Sequence, residues 1–327
     1  MFGVFRLPKI NNIQSVGKYN RIAVFEYLFK NGDASMHDIS EFLSLSFPAV
    51  TRAIEAGLEL HLVESRGIQQ SDRGRKAQLY GIDPDYGHSA SLYIDSTSII
   101  IELRNMRSDK LKTARVKVGK KNVIGLIDEI IDDILEFDGK IQFIFVIVAG
   151  DVYQGKIITC RNYEELVGFD MQSHLTKKFS GIVIVENDMT ACTNSCFRHN
   201  GSMKGRIILT YLFGKNDYGA GAIVNNGILL GSTGRGFRLG ELPIEKINTH
   251  SINFLSKQLQ SLIAVFNPDT VILYPTDDDL SYEDMVSAIK NQLSAELFPE
   301  FRHGLSFIDD CIDGMCKFCF DKIKKQF

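Results

Sequence analysis

The residues whose types and spacing suit chemistry fall into separate groups. Arg66, Arg73, Arg75 and Lys76 crowd one short Gly-containing segment. Clustered cations on such a segment neutralise nucleic-acid phosphates, although a solvated loop would carry the same charges. Cys192, Cys196 and His199 recur at i, i+4 and i+7. On a helix that spacing puts three zinc-ligand types on one face; small buried hydrophobes explain the same cysteines without a metal, and that reading is preferred. Cys316 and Cys319 stand beside Phe318 and Phe320, the pattern of a packed C-terminal helix rather than of a redox pair.

Those groups need elements to position them, and composition bounds what the elements are. The 327 residues suffice for about two domains. Hydrophobic residues at 44% and charged residues at 24% are ordinary for a globular chain. The longest strongly apolar stretch, Ile144 to Gly150, is too short to span a bilayer, and the N-terminus lacks a signal-peptide pattern. A cytoplasmic protein with free thiols, no metal, no cofactor and no membrane partner is expected. The net charge of −3 argues against a general nucleic-acid coat protein. Residues 1–80 hold 10 Lys/Arg and 8 Asp/Glu, a balance of +2, so the remainder carries −5. A modestly basic head precedes an acidic body.

Within the head, Ile22, Phe25, Leu28 and Phe29 recur at helical spacing from Lys18 to Lys30, and Asn31-Gly32 supplies the stop. Ser35 suits the N-cap of a second helix with Asp38 three residues on; Ile39, Phe42 and Leu43 form its expected inner face. After Ser44-Leu45-Ser46, Ser46 suits the N-cap of a third helix with Pro48 in its first turn. Val50, Ile54 and Leu58 are its expected inner face, with Phe47, Ala49, Thr51, Arg52 and Glu55 outside. Two short helices across a three-residue turn make a helix-turn-helix whose second helix suits a major groove. Leu62 to Ser65 and Ala77 to Tyr80 read as strands around the basic segment, completing a winged helix. Arg52 is the candidate for base contact, with Thr51 and Ser46 nearer phosphates. A three-helix scaffold without DNA affinity is the alternative.

The body alternates strand and helix patterns. Residues 89–103 read as a hairpin, Ile144 to Val148 and Ile182 to Val185 as central strands, and Arg206 to Phe213 as another strand. A hairpin around Asn225-Asn226-Gly227, a helix from about Asn248 to Phe266 and a strand Asp269 to Tyr274 follow. Two such blocks fit an α/β body whose lobes close on a cleft.

Gly74-Arg75-Lys76-Ala77 leading into Tyr80-Gly81-Ile82-Asp83-Pro84-Asp85, then Val185-Glu186-Asn187-Asp188, then Gly219-Ala220-Gly221, resembles the ROK family of repressors and sugar kinases over nearly the whole chain. The resemblance is to the repressor branch. It implies an α/β fold with a winged helix-turn-helix over residues 1–82 and a two-lobed body of the actin and hexokinase type over 83–327. In active members the Asp matching Asp188 takes the proton from the sugar hydroxyl and the neighbouring Asn holds the ring, as a carboxylate within hydrogen-bond reach of a hydroxyl is able to do. Asp188 also suits the N-cap of a helix starting at Met189.

The phosphate turns of the family depart here. Asp-x-Gly-x-Thr becomes Asp95-Ser96-Thr97-Ser98-Ile99; Gly-Thr-Gly-x-Gly-Ala-Gly becomes Lys215-Asn216-Asp217-Tyr218-Gly219-Ala220-Gly221; a Gly-Gly pair becomes Pro275-Thr276-Asp277-Asp278-Asp279. Gly-Glu-Ile-Gly-His aligns with Phe237-Arg238-Leu239-Gly240-Glu241. In that register the sugar-binding Glu is Arg238 and the His is Glu241; an alternative register on Gly240-Glu241-Leu242 keeps the Glu but still loses the His, and the family's Cys-rich zinc loop is absent. The expectation is a non-enzymatic regulator, a repressor of carbohydrate-related genes, bound to a double-stranded DNA operator through Ser46, Phe47, Ala49, Thr51, Arg52, Arg66, Arg73, Arg75 and Lys76. It is expected to be a homodimer or a dimer of dimers. Its body would hold a small anionic sugar derivative on Asn187, Asp188, Arg238 and Glu241; an internal ion pair of Arg238 with Glu241 is the plainer alternative. An ATP-dependent sugar kinase and a ligand-free DNA-bound scaffold are the rival readings.

Overall fold

Local chemistry fixes the ends of the first helices. In a computed structural model, which describes residues 13–69, 76–119, 122–199, 205–215, 217–245, 251–276 and 279–324, helix α1 runs Ile13–Asn31 and stops at Gly32, whose φ of +81° suits a residue without Cβ. Strand β1 is Ala34–Ser35 and helix α2 is Met36–Leu43. Ser35 and Asp38 form the expected capping box: Asp38 N–H donates to Ser35 Oγ (3.2 Å) and Ser35 N–H to the Asp38 carboxylate (3.2 Å). Residues 44–46 make the turn, with Ser44 left-handed at φ 53°, and α3 follows as Phe47–Glu59. Strands β2 (Val63–Gln69) and β3 (Ala77–Ile82) pair antiparallel, with β1 on the other edge of β3. This is a winged helix.

Its core is Val24, Phe25, Leu28, Ile39, Val50, Ile54 and Leu62. A Cβ on Gly57 would lie 2.6 Å from Val63 and 2.9 Å from Phe25, so α3 depends on a glycine to lie this close to its neighbours. Three expected facings are corrected. Ala49 is buried rather than outward, because α3 buries Ala49, Val50, Ala53, Ile54 and Gly57. Leu58, one step round from that arc, is partly exposed at 37%. Phe42, next to the last residue of α2, is 68% exposed, and Ile39 is the one residue of that helix that is buried.

The body repeats one plan twice. The first half is β4 (His88–Ile94), β5 (Ser98–Arg104), β6 (Lys110–Lys117), α4 (Val123–Phe137), β7 (Ile141–Val148), a flap of β8 (Val152–Tyr153) and β9 (Lys156–Ile157), α5 (Met171–Thr176), β10 (Ile182–Asn187) and α6 (Asp188–His199). The second half is β11 (Ile207–Phe213), β12 (Tyr218–Val224), β13 (Gly227–Ile228), α7 (Ile252–Phe266), β14 (Thr270–Pro275), α8 (Tyr282–Lys290), β15 (Glu300–His303) and α9 (Phe307–Ile323). The sheets order as β10-β7-β4-β5-β6 and β13-β12-β11-β14-β15. Leaving the flap aside, each half has the order third, second, first, fourth, fifth. Each sheet buries its own core, Ile144 and Val146 with Ile127 of α4 in one, Leu209 and Val271 with Leu259 of α7 in the other. Asn225 and Asn226 take φ of 51° and 67°, the left-handed pair that a two-residue hairpin turn demands. The α7 helix starts at Ile252; Asn248 lies outside the described residues.

Contacts divide the chain into two compact units, and the boundary is not a single cut. Arg104–Leu111 and the residues from Phe318 on group with the described residues up to His88; Ser89–Leu103 and Lys112–Lys317 form the other unit. Within the first unit, Arg107 pairs with Asp33 at 3.1 Å and Phe320 stacks on Phe29 at 5.2 Å.

Candidate functional site

Strand β10 pairs in parallel with β7, Asn187 opposite Val148, and delivers Asn187 and Asp188 to the point where α6 begins. Asn187, not Asp188, caps that helix: its Oδ1 accepts from Thr190 N–H at 3.0 Å, while its amide donates to the carbonyl of Gly150 and to Asp188 Oδ1. The same Asp188 Oδ1 accepts from Met189 N–H at 2.7 Å. Asp188 is only 7% exposed, and burial raises its carboxyl to about 6 against the opposing pull of the Met189 N–H, the Arg161 charge and the Asn187 amide. Burial likewise raises Glu186 to about 7. Near neutral pH a carboxylate at Asp188, already held on one oxygen, can accept a ligand hydroxyl on the other.

These groups face a cleft of about 430 Å³. Asn187, Asp188 and Arg238 line it, together with Glu186, Arg161 and Arg235. Glu241 does not; it is exposed at the end of a short 3₁₀ turn begun by Arg238, to whose carbonyl its N–H donates at 3.0 Å. Among the described residues the two side chains form no ion pair. Arg161 pairs instead with Asp217. Arg235 Nε is buried and has no hydrogen-bond partner among the described residues. Sequence reasoning passed over Arg161 and Arg235. The only local signal was the sandwiching of Arg235 between Gly234, at φ +72°, and Gly236, which lets the loop run close to Thr190 and Tyr153.

In the turns that would cradle phosphates, side chains of the chain itself pair with one another. Between β4 and β5, Asp95 N–H donates to Ser98 O (2.9 Å), Ser96 N–H donates to the Asp95 carboxylate (2.7 Å), and Arg115 reaches both Asp95 (3.4 Å) and Ser98 Oγ (3.2 Å). On the second turn Lys215 pairs with Asp279. Asp277 and Asp278 lie outside the described residues. The retained glycines have a packing duty: a Cβ on Gly219 would lie 2.7 Å from Met189, and one on Gly221 2.1 Å from Thr193 Oγ1. Gly-Ala-Gly is what lets β12 lie directly on α6.

Five of the six cysteines are packing residues, whereas Cys160 is half-buried and lines the cleft. Cys192, Cys196, Cys311, Cys316 and Cys319 are at most 4% exposed, Cys311 Sγ lies 3.2 Å from Asp188 O, and burial pushes the Cys311 thiol up. No group of three or more His, Cys, Asp or Glu among the described residues is placed to hold a metal.

In the head, Ser46 stands at the N-cap of α3 but makes no side-chain capping hydrogen bond, and it is exposed, as are Phe47 and Arg52 on the helix. Thr51 is half-buried, and its hydroxyl donates to Phe47 O at 3.0 Å. Ala49 faces the core. Arg66 is exposed on the wing and ion-paired with Glu64 and Asp33, so its charge is partly offset within the head. Lys76 is exposed; Arg73 and Arg75 lie outside the described residues.

No family model matches the chain. The DNA-binding transcriptional repressor Mlc of Escherichia coli (strain K12) is 22% identical over 244 residues, 72% of this chain and 60% of that protein. The chain thus spans less than two thirds of the length of that relative. The crystal structure of a ROK family transcriptional regulator, a homologue of the E. coli Mlc protein, superposes with a TM-score of 0.69 at 13% identity, covering 93% of this chain and 99% of that one. A putative sugar kinase from Cytophaga hutchinsonii (TM-score 0.60, 14% identity, 71% of this chain and 99% of that one) and a ROK hexokinase from Thermus thermophilus (0.59, 17%, 73% and 99%) cover a smaller share. No helix among the described residues is long and apolar enough to cross a membrane. Kinases cover about the share of the chain that the body takes, and the regulator covers nearly all of it, so the fold is that of the ROK transcriptional regulators, and the family resemblance read from the sequence stands.

Proposed function

We propose that the chain is a transcription regulator, a repressor of carbohydrate-related genes, that binds an operator in double-stranded DNA through its winged helix. On this reading residues 1–82 read DNA in the cytoplasm. The body from residue 83 senses a small ligand and forms the homodimer, or dimer of dimers, that a two-fold operator requires. The observation that carries the reading is the pairing of an exposed α3 face with a kinase-like body whose first phosphate turn is filled by Asp95 and Arg115. Phosphoryl transfer depends on positioning and charge stabilisation of the donor. Asp188 without such a cradle has nothing to accelerate.

The ligand proposed for the cleft is an anionic sugar derivative. Asn187 and Asp188 meet its hydroxyls, and the acid group lies toward Arg238 and Arg235. The support is the buried Arg235 Nε: an unpartnered buried donor costs about 1–3 kcal/mol, which a ligand oxygen would recover. Fluorescence anisotropy of the full chain on genomic fragments, with and without gluconate, glucose 6-phosphate or glucose, tests both parts. Preference for particular fragments, relieved or strengthened by an anionic sugar, is expected. Equal binding to every fragment defeats the regulator reading. Fragment preference that no sugar changes favours the scaffold, and sugar-dependent ATP turnover favours the kinase.

A further inference from the structure

The face that α3 turns to solvent carries a ring that phosphate contact does not explain. Phe47, the first residue of α3, is 53% exposed between exposed Ser46 and Pro48. It has no inward alternative. Ala49, Val50, Ala53, Ile54 and Gly57 commit the opposite arc to the core, and at 3.6 residues per turn the whole helix would have to rotate to bury the ring. Across the turn, Phe42 is 68% exposed and meets Tyr27 edge-on at 4.9 Å. Two aromatic rings therefore flank the segment that leads a helix-turn-helix into a groove.

Beyond exposed Pro48, the face carries half-buried Thr51, then exposed Arg52 and Glu55, with Leu58 partly exposed further along. A carboxylate at Glu55 is repelled by phosphate but suits the groove floor, where cytosine offers an amino donor. Such a face is built for base edges rather than for the backbone. On the floor of the major groove the apolar feature is the C5-methyl group of thymine. We propose that Phe47 is a specificity-determining residue that reads thymine methyl groups in the major groove, so that each half-site presents thymine to the start of α3. Arg52, further along α3, lies over neighbouring base pairs. The inference rests on the reading of the head as a DNA-binding module.

Replacing thymine by deoxyuracil removes the methyl group and nothing else, which gives a direct test. Duplexes selected from a random library by the full-length chain are resynthesised with uracil at each thymine in turn, and affinity is measured by anisotropy at fixed salt. Burying one methyl group contributes about 0.8 kcal/mol, so uracil at the contacted position should weaken binding about fourfold. In Phe47→Ala, whose truncation is at an exposed site, thymine and uracil duplexes should bind alike. Phe47→Leu should keep part of the difference, and Arg52→Ala should keep all of it. Uracil tolerated at every position overturns the inference and leaves the regulator reading standing, as does a methyl effect that survives in Phe47→Ala. Selection of no sequence at all overturns both. A Phe47→Ala variant that changes self-association but not the thymine preference assigns the ring to an interface between copies and overturns the inference.

Discussion

Adding one methyl group at Gly221 tests whether the Gly-Ala-Gly of β12 is a packing device. The Cβ of Gly221→Ala would lie 2.1 Å from Thr193 Oγ1, 3.1 Å from Thr193 Cβ and 3.2 Å from Thr210 Oγ1. Both threonines are fully buried. Thr193 Oγ1 donates to Met189 O at 2.6 Å and lies 2.5 Å from Thr210 Oγ1, so it cannot swing aside without giving up the Met189 bond of a buried hydroxyl, although Thr210 keeps its own bond to Gly221 O at 3.4 Å. Its β-branched side chain in the middle of α6 also has few rotamers to use. Overpacking costs about 1–3 kcal/mol and an unsatisfied buried hydroxyl about 1–3 kcal/mol, so a loss of roughly 2–6 kcal/mol is expected. Urea unfolding of the full chain, followed by circular dichroism, measures it as a lowered midpoint. Adding Thr193→Ala removes the atom at 2.1 Å, and a double-mutant cycle should return a favourable coupling of about 1–3 kcal/mol. Gly221→Ala within about 0.5 kcal/mol of wild type would refute the packing argument and reopen a ligand-facing role for the turn.

Asp188 titrates at about 6 in the folded chain against 3.8 ordinarily, so its contribution to stability is present below about pH 4 and lost as pH rises through 6. Wild type should therefore lose about 2 kcal/mol relative to Asp188→Asn between pH 4 and pH 7.5, read from paired urea midpoints; an unchanged difference would contradict the buried carboxyl. Arg52→Ala should flatten sequence preference by about 1–3 kcal/mol, whereas Lys76→Ala should weaken binding to all duplexes and reduce the salt slope by about 1. Arg66→Ala, which removes a cation already paired with Glu64 and Asp33, should leave the salt slope of DNA binding within error of wild type. Steady-state assays with hexoses should show no sugar-dependent ATP hydrolysis; turnover abolished by Asp188→Ala would contradict the occupied phosphate turn.

What could be read from the residues alone was what depends on neighbours in sequence. The Ser35/Asp38 box and the Asn225-Asn226 turn are local bargains of backbone donors and acceptors, whereas the cap of α6 falls one residue earlier than the sequence suggests, on Asn187 rather than Asp188. Facing along short helices was less legible, because Ala49 is small enough for either side of α3 and only the packing against α1 and β2 decides. Least legible were pairings between distant residues. Asp33 collects Arg66 and Arg107, and Arg161 meets Asp217, with no periodicity to announce either.

The same distinction separates two kinds of glycine in a kinase-like turn. Where a glycine serves only a phosphate, as the one replaced by Thr97 would, its loss leaves the fold intact, since Asp95 and Arg115 fill the turn. Gly219 and Gly221 instead bring β12 within van der Waals distance of Met189 and Thr193, so any side chain there strains the body whether or not a nucleotide binds. A chain that had given up phosphoryl transfer would be free to lose the first kind and obliged to keep the second. Retention of Gly-Ala-Gly beside Asp188 is therefore evidence about the packing of α6, and the chemistry of the cleft must be argued from Asp188, Arg235 and Arg238 instead.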